Sequence, residues 1–524
     1  MPYKVLFLIF FLFISKLNAN DVDPYVIFQN YYQSVGGLKN LKAIKTSYIE
    51  GQIRFDNLTG SFTEWSKTPI QYRLTEDFSI LTRHSGDNGQ QSWDKDNNGK
   101  VIVYKDKESQ QRRQLNILMN NYVHINRDDP NFSMSYEGQT SLNNKAAHIV
   151  KMTNLINDDI YWYYFDMQNF LLIKLVEIQP DIEIHNNFLD YKKVDGNIKI
   201  PFNTETEIKP RNKHKSIIVE KFQANPKVPD DFFKTPSESL SSIVFKQGSR
   251  AENIPFVFNG TLIYFPIQVQ GKQSLWVIDS GASLSLIDED YAKELGLSIH
   301  PGIKGFGFGA TFDLSYVKIP SYGPQDVQVK NQTIYAYKGL AQRFESSQAK
   351  GILGYDFLSR FVVKINYAAK LISFYRPQNF KYTGTGTTIT APLKYNTFSI
   401  PVLLENKFHG FWSIDLGAYD ASLHYSYAKK HGLLERKGTE SISTGINSTF
   451  TERNVKFNSL KLGPYTLSPV SINIPISKKT GVGSFGELAG NLGNSILRYF
   501  ILYLDYQNQQ IILEPVDNSS VTSQ

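Results

Sequence analysis

The 524-residue chain contains no cysteine. That removes disulfides, zinc–thiolate and iron–sulfur sites, thiol nucleophiles and lipid attachment through sulfur. Charge is sparse as well: 20% of residues are charged, and a net charge of +7 is mild for this length. Two basic clusters, Lys209–Lys215 and Lys105–Arg113, sit among turn-like residues. They read as solvated loops, with no nucleic-acid partner implied. No Gly-X-Ser-X-Gly elbow, His-Glu-X-X-His pair or phosphate loop is present, and no metal or cofactor is called for.

Long apolar runs are missing too. Ten apolar residues, Val5–Ile14, follow a basic start and precede Ser15-Lys-Leu-Asn-Ala19, whereas a bilayer span needs about 20. This pattern predicts an export signal over 1–19, cleaved after Ala19, and a mature protein soluble in the periplasm or secreted. An exported fold without cysteine must be held by its core. The Asn-X-Ser/Thr triplets at Asn57, Asn131, Asn259, Asn331 and Asn447 have meaning only in a host that glycosylates.

Aromatics are plentiful, with 35 Phe and 31 Tyr, which favours β-structure. Residues 24–44 read as a short helix ending near Gly36-Gly37 and a second turn. From Thr46 the pattern alternates: Ile49, Gly51, Ile53 and Phe55 fall on one face, Glu50, Gln52 and Arg54 on the other. Short strands continue to about residue 222, among them Val101–Tyr104, Ile160–Phe165, Leu171–Val176 and Ile217–Phe222. The region 20–236 is thus expected to be an antiparallel half-barrel with a helix. A polar linker is expected at 237–253.

Beyond it the sequence repeats. Leu275–Leu297 and Phe411–Leu433 share ten of 23 residues, including Trp276/Trp412, Asp279/Asp415, Gly281/Gly417 and Gly296/Gly432. A second block pairs Gly351-Ile-Leu-Gly354, Phe361 and Tyr367 with Gly490-Asn-Leu-Gly493, Phe500 and Tyr506. Two copies of one β-rich lobe follow, over 254–380 and 381–515, with a tail at 516–524. Alone, an Asp-X-Gly is a turn. Two such turns related by a pseudo-twofold axis bring Asp279 and Asp415 together, and adjacent carboxyls share one proton. One then serves as general base toward water and the other as general acid toward a carbonyl, which hydrolyses an amide.

Residues 256–515 resemble a fused, two-lobed aspartic protease of the pepsin/retropepsin clan, through Val277-Ile-Asp-Ser-Gly-Ala-Ser283 with Ile352-Leu-Gly354 and Ile414-Asp-Leu-Gly-Ala418 with Asn491-Leu-Gly493. The resemblance implies a mainly β, bilobal fold. It assigns catalysis to Asp279 and Asp415, support of the pair to Ser280, Gly281, Gly417, Gly354 and Gly493, and a peptide or protein substrate. Gly305-Phe-Gly-Phe-Gly309 is nominated as the hairpin over the substrate, with Phe306, Gly307, Phe308 and Ser283 as substrate contacts. The second copy departs from the family pattern: Leu416 stands where a hydroxyl is usual, and Asn491 where an apolar residue is usual. Leu416→Thr would restore the hydroxyl. His300 and His424 are expected as surface or cap residues.

Residues 24–236 resemble the LolA/LolB-like lipoprotein carriers, through Val35–Ala43, the Trp93 segment, Tyr161–Asp166, Leu171–Leu175, Asp190–Gly196 with Ile200-Pro201, and Pro229–Phe233. That implies an incomplete barrel able to take a lipid or acyl chain. The expected protein is an exported, monomeric aspartic-type endopeptidase. The alternative is a non-catalytic envelope binding protein with a degenerate peptide cleft.

Overall fold

The computed structural model describes residues 22–179, 182–238, 242–307, 310–344, 348–394, 396–445, 449–476, 488–516 and 521–523. The expected export segment, Phe308 and Asn447 lie outside the described residues.

The fold is mainly β. Alternation in the N-terminal half builds a 13-stranded antiparallel sheet in which Thr46–Phe55 pairs on one side with Leu58–Lys67 and on the other with Lys213–Ala224. Gly51 and Ile53 are buried while Gln52 and Arg54 are exposed, as the period-two pattern requires. The end strands Val101–Tyr104 and Phe132–Leu142 do not pair, so the barrel is incomplete. Helix Lys107–Asn120 connects them. Ile27 and Phe28 of helix Pro24–Ser34, together with Leu115, pack on Phe132, Val150, Tyr163 and Phe165 and cover the apolar face.

That connecting helix corrects the reading of Lys105–Arg113 as a solvated loop. Asp106 caps it by accepting from Ser109 N at 2.8 Å. Arg113 then turns inward onto buried Asp87, with Nη2 donating to Oδ1 at 3.1 Å. A buried carboxylate recruits its cation, which a count of charges along the chain does not reveal.

The expected linker is also built in. Ile243–Phe245 pairs with Val327–Tyr337, and Arg250–Pro255 pairs with Leu371–Tyr375. Ile243, Ala251 and Ile254 are buried while Val244, Glu252 and Pro255 beside them are exposed, so strand pairing outweighs composition. In the expected tail, Val521–Ser523 pairs with Tyr465–Leu467.

The duplicated blocks fold alike. Lys272–Ile278 runs parallel to Ala349–Leu353, and Phe408–Ile414 runs parallel to Leu488–Leu492. The registers correspond, Trp276 opposite Gly351 and Trp412 opposite Gly490, and each follows a bulge one residue earlier. The glycines are required there, because an added Cβ would collide with the indole rings. In the first lobe the sheet closes into a ring, since Ser315–Gly323 pairs with both Ile263–Val269 and Val327–Tyr337. The lobes meet in a six-stranded sheet where Val362–Asn366 pairs antiparallel with Phe500–Asp505.

The N-terminal half docks on the first lobe. Ile53, Leu58, Phe62, Phe78 and Leu81 bury Ile303 and Tyr316. The turn at 96–100 inserts beside them. Thr333 N donates to Asn98 Oδ1 at 2.8 Å, and Asn98 Nδ2 donates to Thr333 O at 2.9 Å. Arg360 Nη2 donates to Asn98 O at 2.8 Å, and Lys100 Nζ to Ser359 O at 3.1 Å.

Candidate active site

Each acidic turn sits where a buried strand ends. Asp279 N donates to Leu353 O and Asp415 N to Leu492 O, both at 3.0 Å, so each turn hangs from the strand crossing behind it. Short helices open just after Gly354 and Gly493. A Cβ at Gly354 would press on the Ala282 and Leu284 carbonyls, and one at Gly493 on those of Tyr419 and Asp420. Tyr355 N donates to Ala282 O at 2.8 Å and Asn494 N to Ala418 O at 2.9 Å, closing each loop.

The carboxyls come together, each lying against the glycine of the opposite turn. A Cβ on Gly281 would come within 2.8 Å of Asp415 Oδ1, and one on Gly417 would collide with the Asp279 carboxyl. Only glycine allows this approach. Gly281 N and Ala282 N donate to Asp279 Oδ1 at 2.8 and 3.0 Å, and Gly417 N donates to Asp415 Oδ1 at 3.0 Å. Burial raises both carboxyls, and the neighbouring charge of Asp279 pushes Asp415 well above the usual range. The pair therefore holds one proton between its two carboxyls.

Ser280 is buried between the turns. Its Oγ donates to Ile414 O at 2.8 Å and accepts from Leu416 N at 3.1 Å. Leu416 has no hydroxyl to return the contact, and its side chain is part of the core. Asn494, which the sequence reading missed, compensates. Its Nδ2 lies 2.9 Å from Leu416 O and 3.0 Å from Ala418 O, and its Oδ1 accepts from Tyr367 OH at 2.7 Å. The signal was legible as a departure, since the duplicated position in the first lobe is Tyr355. Asn491 is buried in the strand behind the turn.

The first turn has a support of its own. Asp356 Oδ1 accepts from Ser285 N at 2.6 Å and Ser285 Oγ at 2.7 Å, and Gly354 N donates to Ser285 Oγ at 3.0 Å. Arg360 Nε donates to Asp356 O at 2.9 Å and carries the network to Asn98. The second lobe has Ala421, Ser495 and Tyr499 at the corresponding positions. Among the described residues, this network is found in the first lobe, on which the N-terminal half docks.

Lys304–Gly307 and Ala310–Asp313 form the nominated hairpin, and Lys304 N donates to Asp56 Oδ2 at 2.9 Å. Phe306 and Gly307 lie in its first strand, and Ser283 is exposed past the first turn. His424 takes the N-cap position of helix Tyr425–Lys430, one of the two places expected for it, but makes no side-chain cap bond and is buried rather than on the surface. Desolvation lowers its pKa to about 4, so the imidazole is neutral. Among the described residues no group of three or more acidic or histidine side chains is placed to hold a metal ion, and no helix is long and apolar enough to cross a membrane.

Fold and site together define a two-lobed β-protein with a paired-aspartate centre. Residues 265–357 match the aspartyl protease family model. Among solved structures, the chain is similar to a retropepsin-like aspartic protease from Rickettsia conorii, with 23% identity over 25% of this chain and 96% of that one, at a TM-score of 0.19. It is also similar to a DUF1329 family protein from Desulfovibrio piger (14% identity, 41% and 98% coverage, TM-score 0.30). A LolA superfamily protein from Nitrosomonas europaea is a further neighbour (10% identity, 38% and 95% coverage, TM-score 0.28). Comparison with curated proteins gives no match.

Proposed function

We propose that the chain is an exported aspartic-type endopeptidase, in which a signal at 1–19 precedes an N-terminal half-barrel and two protease lobes. The observation that carries this reading is the contact between the Asp279 and Asp415 carboxyls, each aligned by amides of its own turn. Asp279, ionised and held by two N–H groups, takes a proton from water as that water attacks the scissile carbonyl. Asp415 gives its proton to the carbonyl oxygen. When the tetrahedral intermediate collapses, Asp279 returns a proton to the leaving nitrogen and Asp415 regains one from the hydroxyl. Ser280 and Asn494 supply the rigidity that this exchange needs. The departure at Leu416 leaves its backbone N–H and C=O both held, which supports an active rather than a degenerate cleft.

The N-terminal half is proposed to brace the first lobe, given its buried contacts at Asn98 and Lys100. A lipid or acyl ligand there is tested by mass spectrometry of the purified protein. The main test is incubation of the mature, monomeric protein with a mixed peptide library, with and without a statine-type inhibitor. Inhibitable cleavage that is lost in both Asp279→Asn and Asp415→Asn supports the reading. Cleavage surviving either substitution refutes the shared pair.

A further inference from the structure

The lobes repeat the same strand pairings but carry opposite chemistry on one face. In the first lobe a line of register partners crosses six strands: Tyr316, Tyr335, Leu286, Ile352, Val277 and Tyr264. The second lobe pairs Asn454, Asn473, Ser422, Asn491, Ser413 and Ser399 in the same order. Register partners share a face of their sheet. One face is therefore aromatic and aliphatic, three tyrosines with Leu286, Ile352 and Val277, and its counterpart is six amides and hydroxyls, all but Asn454 buried. Burying such groups costs free energy that apolar side chains would not incur.

Both strips adjoin the paired carboxyls. Tyr264, Val277, Leu286 and Ile352 pack in one cluster with Ala282 of the first acidic turn and Phe312 of the hairpin. On the other side, Asn473 Nδ2 donates at 3.1 Å to Oδ2 of Asp420, five residues past Asp415, where the first lobe has Leu284. The same nitrogen lies 3.1 Å from Glu452 Oε2, which also accepts from Ser443 Oγ at 2.6 Å. Two acceptors remain unused. Glu452 Oε1 and Asn491 Oδ1 have no hydrogen-bond partner among the described residues, on side chains only 1% and 3% exposed. A buried acceptor without a donor is costly, and this strip leaves two of them on the same side of the site.

We infer that the second-lobe side of the site is a subsite for a cationic side chain, an ammonium or guanidinium, recognised by Asp420, Glu452 and Asn491, while the first-lobe strip takes an apolar side chain across the scissile bond. This specificity rests on the peptidase reading. A cation brings the donors that the strip lacks and the charge that balances the buried Glu452 and half-buried Asp420 carboxylates. An apolar side chain in the same place would leave Glu452 Oε1 and Asn491 Oδ1 dry and unpaired.

The test compares peptides that differ at one position, lysine against norleucine, which keeps the stem and drops the charge. Wild-type kcat/KM is expected to favour lysine at least tenfold on one side of the cleaved bond only, with leucine or phenylalanine favoured on the other. Glu452→Gln should erase the lysine preference. Asn491→Leu, which approximates the first lobe's Ile352, should shift it toward norleucine. Affinities of the full-length Asp279→Asn protein for the two peptides, measured by calorimetry, read the subsite without turnover and without disturbing the strip. Equal affinities there, or an unchanged preference in a folded Glu452→Gln, overturn the inference. Selective lysine binding by a wild-type protein that cuts no peptide refutes the peptidase reading and leaves the cationic subsite standing.

Discussion

Ser280→Ala tests whether one hydroxyl locks the two acidic turns together. The Ser280 Oγ serves two backbone groups of the opposite turn, the Ile414 carbonyl at 2.8 Å and the Leu416 amide at 3.1 Å, and it is 1% exposed, so water cannot replace it. A buried group stripped of its partner costs about 1–3 kcal/mol, so two groups cost about 2–6 kcal/mol. The lower half of that range applies here, since Asn494 still holds the Leu416 carbonyl and the Asp415 amide keeps its bond to Leu492. A loss of about 2–4 kcal/mol is therefore expected in urea unfolding of the full chain. If about 2 kcal/mol of that loosening reaches the transition state, kcat on a cleaved peptide falls about 30-fold. Amide exchange at 414–418 should speed up, a readout that needs no turnover. Ser280→Thr keeps the hydroxyl and should retain most of both quantities. A stability loss under about 0.5 kcal/mol with unchanged exchange would show that the hydroxyl does not hold the turns.

Three further outcomes are expected. The Asp415 carboxyl is raised in the folded protein by burial and by Asp279, so the fold binds a proton that the unfolded chain releases. Its contribution is fully present below the ordinary carboxylate pKa of about 4 and is lost as pH rises from there. Asp415→Asn should thus gain stability at neutral pH, and the gain should vanish in acid; a pH-independent difference in unfolding free energy would contradict the sharing. Asn98→Ala removes two reciprocal, buried bonds to the Thr333 backbone and should cost about 2–4 kcal/mol. Asn97→Ala loses one partly buried bond, to Thr333 Oγ1, and one exposed bond, from Thr82 N, and should cost about 1 kcal/mol; equal losses in denaturant melts would remove the special role of the inserted turn. For Leu416→Thr, the emptied core space costs about 2–4 kcal/mol against a gain of about 1 kcal/mol from a new hydrogen bond. The protein should be less stable and no faster, so a rise in both melting temperature and kcat would reverse the weighing of packing over hydrogen bonding.

How far the sequence reached depended on how local each cause was. The period-two alternation from Thr46, the Asp-X-Gly turns and the Trp–Gly pairs that repeat in both lobes are dictated by neighbours along the chain or by duplication, and all were legible. Helix Lys107–Asn120, the strands inside the Ser-rich stretch and the burial of His424 were not, because each depends on a partner far away in sequence: Asp87 for Arg113, Val327–Tyr337 for Ile243–Phe245, and the packed second lobe for the imidazole. By itself the sequence determined that two equivalent acidic turns exist and that each must end a buried strand. Only the tertiary structure decided that their carboxyls touch, that Asn494 stands in for a missing hydroxyl, and that one lobe faces its turn with an aromatic and aliphatic strip and the other with acceptors. Those facts come from strand register and from packing across lobes, where atoms hundreds of residues apart compete for the same few ångströms, and no local pattern encodes that competition.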